Sequence, residues 1–303
     1  MAKKVIIIFL DGVGLGETNP EVNPFMHVKM DRLEPWLSTD QLVLDAAGSA
    51  TDQAVLLAVD AQLGMPGLPQ SGTGQTAILT GLNAPVANGG HYGPYPNRNL
   101  RDMLTSHSIF KTLHDMGYAV AYANAYPDKF LDRIRRGKGR TSANTNAAVL
   151  AGLRLRSRRD LQEGRALPAM LTNEFWPETG VTLPQLTAKQ AGQQLVNLAQ
   201  DYTLTFFEFW YSDWIGHKMD RDQSIWILEQ LNHFIGEALD AANFDDTLLL
   251  VISDHGNFED WTTKKHTANP SLTIVAGQSA KILAPRLKAL TDIKPIVMSY
   301  LFE

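Results

Sequence analysis

The chain has 303 residues, 44% hydrophobic and 19% charged, enough to bury a full core around one large domain. It contains no cysteine, which excludes disulfides, thiolate nucleophiles and Cys-ligated zinc or iron–sulfur sites, so any metal must be held by His, Asp or Glu. A net charge of −5 argues against general nucleic-acid binding, and the apolar run at residues 5–10 is far too short to span a membrane, so the expected setting is cytoplasmic, with neither nucleic acid nor membrane as partner.

Residues 4–10 form a β-branched run that ends in DGVGLG, which reads as a buried parallel strand entering a Gly-rich turn, with Asp11 at its C-terminal end. Residues 68–81, LPQSGTGQTAILTG, read as a tight turn that delivers Ser71 just ahead of a helix beginning near Gly74 or Gln75. Backbone N–H groups there suit an anionic phosphoryl oxygen. A P-loop would need Lys where Thr73 stands, and a hydrolase elbow would need Gly where Pro69 stands; a purely structural turn is the plain alternative.

Further along, 108–117 reads as a helix and 118–125 as a buried strand. The stretch from Tyr126 to Pro184 breaks the rhythm, being rich in Arg, Pro, Asn and Gly, and between Lys129 and Arg165 it has eleven Lys or Arg against three acids. It reads as an inserted basic cap lobe, whose charge is either a solvated face or a surface that steers substrate. The β/α alternation then resumes with a helix at 187–200, a strand at 203–210, an amphipathic helix at 223–241 and a strand at 247–253 that ends in Asp254 and His255. The pattern predicts an α/β fold with a mainly parallel central sheet and helices on both faces, residues 1–125 and 185–303 forming the core and 126–184 the cap.

Four segments place His or Asp after expected strands or in the following loops: Asp11, then Asp213 with His217, then Asp254 with His255, and finally His266. The spacing in SDWIGH brings a carboxylate and an imidazole within one turn, and the adjacent pair in SDHGN offers one ligand to each of two neighbouring positions. Any one of these alone is usually a cap or turn residue; together they fit two metals better than one.

In content and order these motifs resemble the alkaline phosphatase superfamily of two-metal phosphoryl-transfer enzymes, most closely the branch of cofactor-independent phosphoglycerate mutase and phosphopentomutase. DGVG resembles that branch's first metal motif, LGMPGLPQSGTGQ its nucleophile approach, SDHGNFED with HTANP its second metal cluster, and LTDIKPIV its closing helix. The resemblance implies an alkaline phosphatase-like fold, Ser71 as a transiently phosphorylated nucleophile, one metal among Asp11, Ser71, Asp254 and His255, and another among Asp213, His217 and His266. It implies two divalent ions, zinc or manganese with magnesium possible, and a small phosphorylated substrate. Two departures matter: Gln75 stands where those mutases have a His, and the cap is too short for their large lobe. The expected activity is therefore a phosphatase or phosphodiesterase working through phosphoserine. An intramolecular phosphomutase is the alternative, and a non-catalytic phospho-ligand binder ranks last. Arg98, Arg133 and Arg136 are the candidate cations for gripping the substrate phosphate.

Overall fold

The computed structural model describes residues 2–176, 183 and 185–303. In chain order its strands are β1 (Lys4–Leu10), β2 (Ala54–Val59), β3 (Val120–Tyr122), β4 (Ala125–Tyr126), β5 (Arg156–Ser157), β6 (Leu204–Phe209), β7 (Thr247–Ser253) and β8 (Ser271–Ala276). β4 and β5 pair with each other, and the other six form one sheet in the order β2-β8-β7-β1-β6-β3. β1 is parallel to both β6 and β7, and β3 is parallel to β6, while β8 runs antiparallel to β7 and β2.

The principal helices are α1 (Ser71–Thr80), α2 (Arg98–His107), α3 (Ile109–Asp115), α4 (Asp128–Arg135), α5 (Ala143–Leu150), α6 (Ala188–Ala199), α7 (Tyr211–Gly216), α8 (Arg221–Ala241) and α9 (Ile293–Phe302). They cover both faces of the sheet, which is why β1 is apolar at every position after Lys4 instead of alternating. Ile6, Ile8 and Leu10 pack with Ala191 and Leu195 of α6 and Leu228 and Leu231 of α8. Val5, Ile7 and Phe9 pack on the opposite face with Ile78 of α1, Leu104 of α2, Phe110 of α3, Ala147 of α5 and Val297 of α9. α6 starts at a capping box in which Thr187 and Gln190 satisfy each other's backbone N–H groups. No helix among the described residues is long and apolar enough to cross a membrane.

The structure differs from the sequence reading at several points. The runs AVLLAV and SLTIVA add β2 and β8, and β8 supplies the antiparallel member of the sheet. The strand expected over 118–125 is split, with Val120–Tyr122 in the main sheet and Ala125 opening β4. The helix expected to begin near Gly74 or Gln75 starts at Ser71 itself. The segment expected as a cap has two parts: Ala143, Ala147 and Ala148 of α5 are buried in the main core, whereas Leu161, Ala166 and Leu183 form a small separate cluster with Ala125, which precedes the segment. Residues 177–182 and 184 of that segment lie outside the described residues.

Phe206 ties the central strands to the helices on one face, with its ring centroid 5.9 Å from Phe9, 5.3 Å from Phe110 and 5.8 Å from Tyr122. It is fully buried, so Phe206→Ala should cost about 3–5 kcal/mol of stability through lost burial and the cavity left behind. Equilibrium denaturation checks this, and a loss under about 1 kcal/mol would contradict the packing described.

Candidate metal and catalytic site

The sheet register assembles the site. Leu10 is level with Phe209 of β6 and Ser253 of β7, so the residues immediately beyond three neighbouring strands, Asp11, Trp210 and Asp254, emerge side by side. α7 then presents Asp213, and His217 caps its C-terminal end. Ser71 is the first residue of α1, where the positive end of the helix dipole falls, and its Oγ lies 3.0 Å from His255 Nε2. Glycine is needed for that approach: a Cβ on Gly72 would sit 2.6 Å from the Tyr92 carbonyl oxygen, and one on Gly74 2.8 Å from that of Asp254. The SGTGQ pattern is thus a contact requirement of α1 against two loops.

All seven residues singled out as ligands or nucleophile converge. His255 Nε2 is 3.4 Å from Asp11 Oδ1 and 3.5 Å from Asp254 Oδ2, while His217 Nε2 is 3.3 Å from Asp213 Oδ2. His266 Nε2 lies 3.6 Å from Asp213 Oδ1 and 3.3 Å from His217 Nε2. Asp213, His217 and His266 make one group with ligand atoms mutually within 4.8 Å, and Asp11, Asp213 and His255 make a second, so Asp213 stands between them.

The far sides of the rings are fixed too. Nδ1 of His266 faces the Pro69 carbonyl oxygen at 2.6 Å, that of His217 faces Lys264 O at 2.6 Å, and that of His255 faces Gly256 O at 3.3 Å. A carbonyl can only accept, so each Nδ1 carries the proton and every Nε2 is turned toward the carboxylates, the arrangement that backing groups impose on metal-binding imidazoles. Asp11 Oδ1 and Asp213 Oδ1 are buried with no hydrogen-bond donor. Orphaned carboxylate oxygens beside three inward-facing imidazole nitrogens fit divalent cations in both donor type and unmet need.

The electrostatics agree. Burial, and then the charges of Asp254 and Asp213, push the Asp11 carboxyl well above its usual range. Burial also raises Asp254, whereas Asp213 is held low against burial by its hydrogen bond to His217 and by the His255 and His266 rings. Burial alone would lower His255, but Asp254, Asp11 and Asp213 outweigh it and push its pKa up to about 10. His266 is lowered to about 4, by burial and then by the His255 charge.

Other residues brace the cluster. Gln75, fully buried, donates from Nε2 to Asp11 Oδ2 and to Asp254 Oδ2, both at 3.2 Å, and its Oε1 accepts from the backbone N–H of Ala143 at 3.0 Å. One amide therefore joins two of the carboxylates to the first turn of α5. Sequence reasoning noted Gln75 only as a departure from the mutase pattern. It missed Glu208, whose buried carboxylate accepts from Tyr122, Ser142 and Asn144, and whose signal was a lone acid inside the apolar run TLTFFEFW. It also missed Glu259, which accepts from Gly14 N, Asn257 N, Thr267 and Asn269, and so ties the HTANP loop to the end of β1. Arg98, Arg133 and Arg136 are exposed and line neither cavity that contains Ser71; the cations that do are Arg140, Lys264 and Lys265.

Residues 163–302 match the model of a family described as the metalloenzyme superfamily. A 2,3-bisphosphoglycerate-independent phosphoglycerate mutase of Mycoplasmopsis pulmonis is 27% identical over 124 residues, which cover 39% of this chain and 24% of that one. The chain thus aligns with only about a quarter of the length of that relative. A Pyrococcus horikoshii protein superposes with a TM-score of 0.56 at 12% identity, covering 99% of this chain and 98% of its own. The alkaline phosphatase of the Antarctic bacterium TAB5 superposes with a TM-score of 0.54 at 13% identity, covering 99% of both chains. The fold is that of alkaline phosphatases, and the Asp and His side chains it gathers form two groups suited to holding divalent metal. Over those 124 residues the chain is similar to 2,3-bisphosphoglycerate-independent phosphoglycerate mutases.

Because Asp254, Asp11 and Asp213 push the His255 pKa up to about 10, its Nε2 also carries a proton at neutral pH, which a cation must displace to bind. Manganese affinity should therefore rise roughly tenfold per pH unit between about pH 6 and 8, and calorimetry in buffers of different ionisation enthalpy should register the released proton. An affinity flat with pH would contradict this protonation state. Gln75→Leu, which removes the shared donor, should weaken manganese binding about 10- to 100-fold while the circular dichroism spectrum stays native. Unaltered affinity would show that the carboxylates hold their places without the amide.

Proposed function

We propose that this chain is a divalent-metal-dependent phosphohydrolase, acting on a small phosphomonoester or phosphodiester through a phosphoserine at Ser71. The observation that supports this best is the set of three imidazoles with Nδ1 locked on carbonyl groups and Nε2 facing Asp11, Asp213 and Asp254 beside Ser71. A non-catalytic binder has no use for a hydroxyl there.

In this reading Asp11, Ser71, Asp254 and His255 hold one cation and Asp213, His217 and His266 the other. Zinc and manganese suit the mixed imidazole and carboxylate donors, and magnesium suits the carboxylate-rich group. The cations supply Lewis-acid charge that lowers the pKa of nearby oxygens and offsets charge developing on the phosphoryl group. Ser71 loses its hydroxyl proton to solvent, Oγ bonds to phosphorus, and the bond from phosphorus to the substrate oxygen breaks as that oxygen leaves and takes up a proton. Water then adds to phosphorus, giving up a proton, the bond to Oγ breaks and Oγ takes up a proton, and inorganic phosphate departs from a monoester, or the remaining monoester from a diester, with Ser71 restored. The α1 N-terminus is oriented to favour the anionic phosphoryl group throughout, with Arg140, Lys264 and Lys265 along the walls. From the segment expected as a cap, Tyr126, Phe130 and Arg140 border the site.

The mutase relatives favour a second reading, in which the phosphoserine returns its phosphoryl group to another oxygen of the same substrate. Phosphorus NMR of the manganese-loaded protein with a panel of phosphorylated sugars and glycerate separates the two: phosphate release supports hydrolysis, and isomer formation with negligible free phosphate supports the mutase. Ser71→Ala should keep its metal while losing at least about 1,000-fold in kcat, and acid-quenched wild type should carry phosphate on Ser71. Near-normal turnover by Ser71→Ala would overturn the covalent scheme.

A further inference from the structure

A cavity of about 510 Å³ lies beside β3, the strand at one edge of the main sheet, and shares no lining residue with either cavity that contains Ser71. His114, Arg154, Arg156 and Arg165 line it with Tyr118 and Tyr202, and none of its lining residues is acidic. Its volume falls in the range that small-molecule sites occupy.

Arg156, the first residue of β5, carries the argument. It is only 6% exposed, yet it forms no ion pair among the described residues. Nε donates to the Tyr122 carbonyl oxygen at 3.2 Å, Nη1 donates to the Arg165 carbonyl oxygen, and the guanidinium lies 5.4 Å from the centroid of the Tyr202 ring. Both acceptors are neutral, so a sheltered full charge is met by dipoles alone, whereas buried charges are ordinarily paired. A neutral amide could tie the same two carbonyls together; a guanidinium adds a charge that only an anion answers.

The acids nearby are already shared out. Arg154 pairs with Asp160, Arg159 with Glu163, and Arg165 with both carboxylates. Two carboxylates thus serve three guanidinium groups, and Arg156 is a fourth cation beyond them. Arg154 and Arg165 keep exposed side chains at the cavity, so a ligand reaching Arg156 meets three forked donors.

We infer that this cavity is a second site, separate from Ser71, that binds a small multiply charged oxyanion such as a polyphosphate or a polycarboxylate. The site goes beyond the reaction proposed at Ser71 and does not depend on it.

Calorimetry on the protein as purified, with no divalent metal added, tests this with pyrophosphate and citrate as probes. At least one of them should bind. Arg156→Gln, which keeps an amide donor for the carbonyls but removes the charge, should weaken that binding about 10- to 100-fold. Arg154→Gln combined with Arg165→Gln alters only exposed side chains, should weaken it about 10-fold, and decides the matter if Arg156→Gln does not fold. Arg98→Gln, exposed and outside the cavity, should bind as the wild type does. Manganese affinity should be unaltered in the double variant, which places the lost binding away from the Asp and His cluster. No binding of either probe, or unaltered affinity in the double variant or in natively folded Arg156→Gln, would overturn the inference, whatever the protein does to phosphoesters.

Discussion

Three carboxylates crowd one end of a parallel sheet, and the rest of the site exists to make that tolerable. Leu10, Phe209 and Ser253 are level across β6, β1 and β7, so Asp11 and Asp254 leave the sheet next to each other, with Asp213 only a short way past Phe209. In a buried setting such charges raise one another's pKa and oppose ionisation. The chain counters this in layers: the Gly12 N–H and the Gln75 amide reach the Asp254 oxygens, and three imidazoles face the cluster. Two oxygens still lack a donor, which leaves a place for the charge of a divalent ion.

Seen this way, the bracing residues matter as much as the ligands. Carbonyl groups of Pro69, Lys264 and Gly256 set the imidazole orientation, and those residues come from the loop before α1 and the long loop between β7 and β8. Glu259 binds one of those loops to the end of β1. Gln75 reaches the other way, toward α5, whose opening residues also contact Glu208 on β6. The walls of the cavity at Ser71 and the floor that holds the carboxylates are therefore connected through short polar links instead of through loop backbone alone.

Much of this was legible in the sequence because the signals were local. The apolar runs of β1, β6 and β7 each end in or run on to an Asp, and the SGTGQ motif announces a close turn around Ser71. What was missed depends on partners far along the chain. β2 and β8 are short runs whose role as strands is set by pairing, and β8 is antiparallel only because of where its loop returns. Glu208 looks like an anomaly in an apolar strand until Tyr122, Ser142 and Asn144 are brought against it. The Arg residues chosen by charge density face solvent; Arg140, placed by the turn before α5, lines the site instead. Local composition reports charge but not the direction a side chain faces.

The sequence distances between the joined groups bear on how the protein matures. Gly12 and Asp254 are 242 positions apart, Ser71 and His255 184, and His266 and Pro69 197. Such contacts close large loops and are among the last that a folding chain can afford, well after helices such as α8 have formed from neighbouring residues. A ribosome-bound chain that still lacks β7 has neither Asp254 nor His255, and one that lacks the loop beyond has no His266. A cation held jointly by these segments would therefore stabilise only the finished topology.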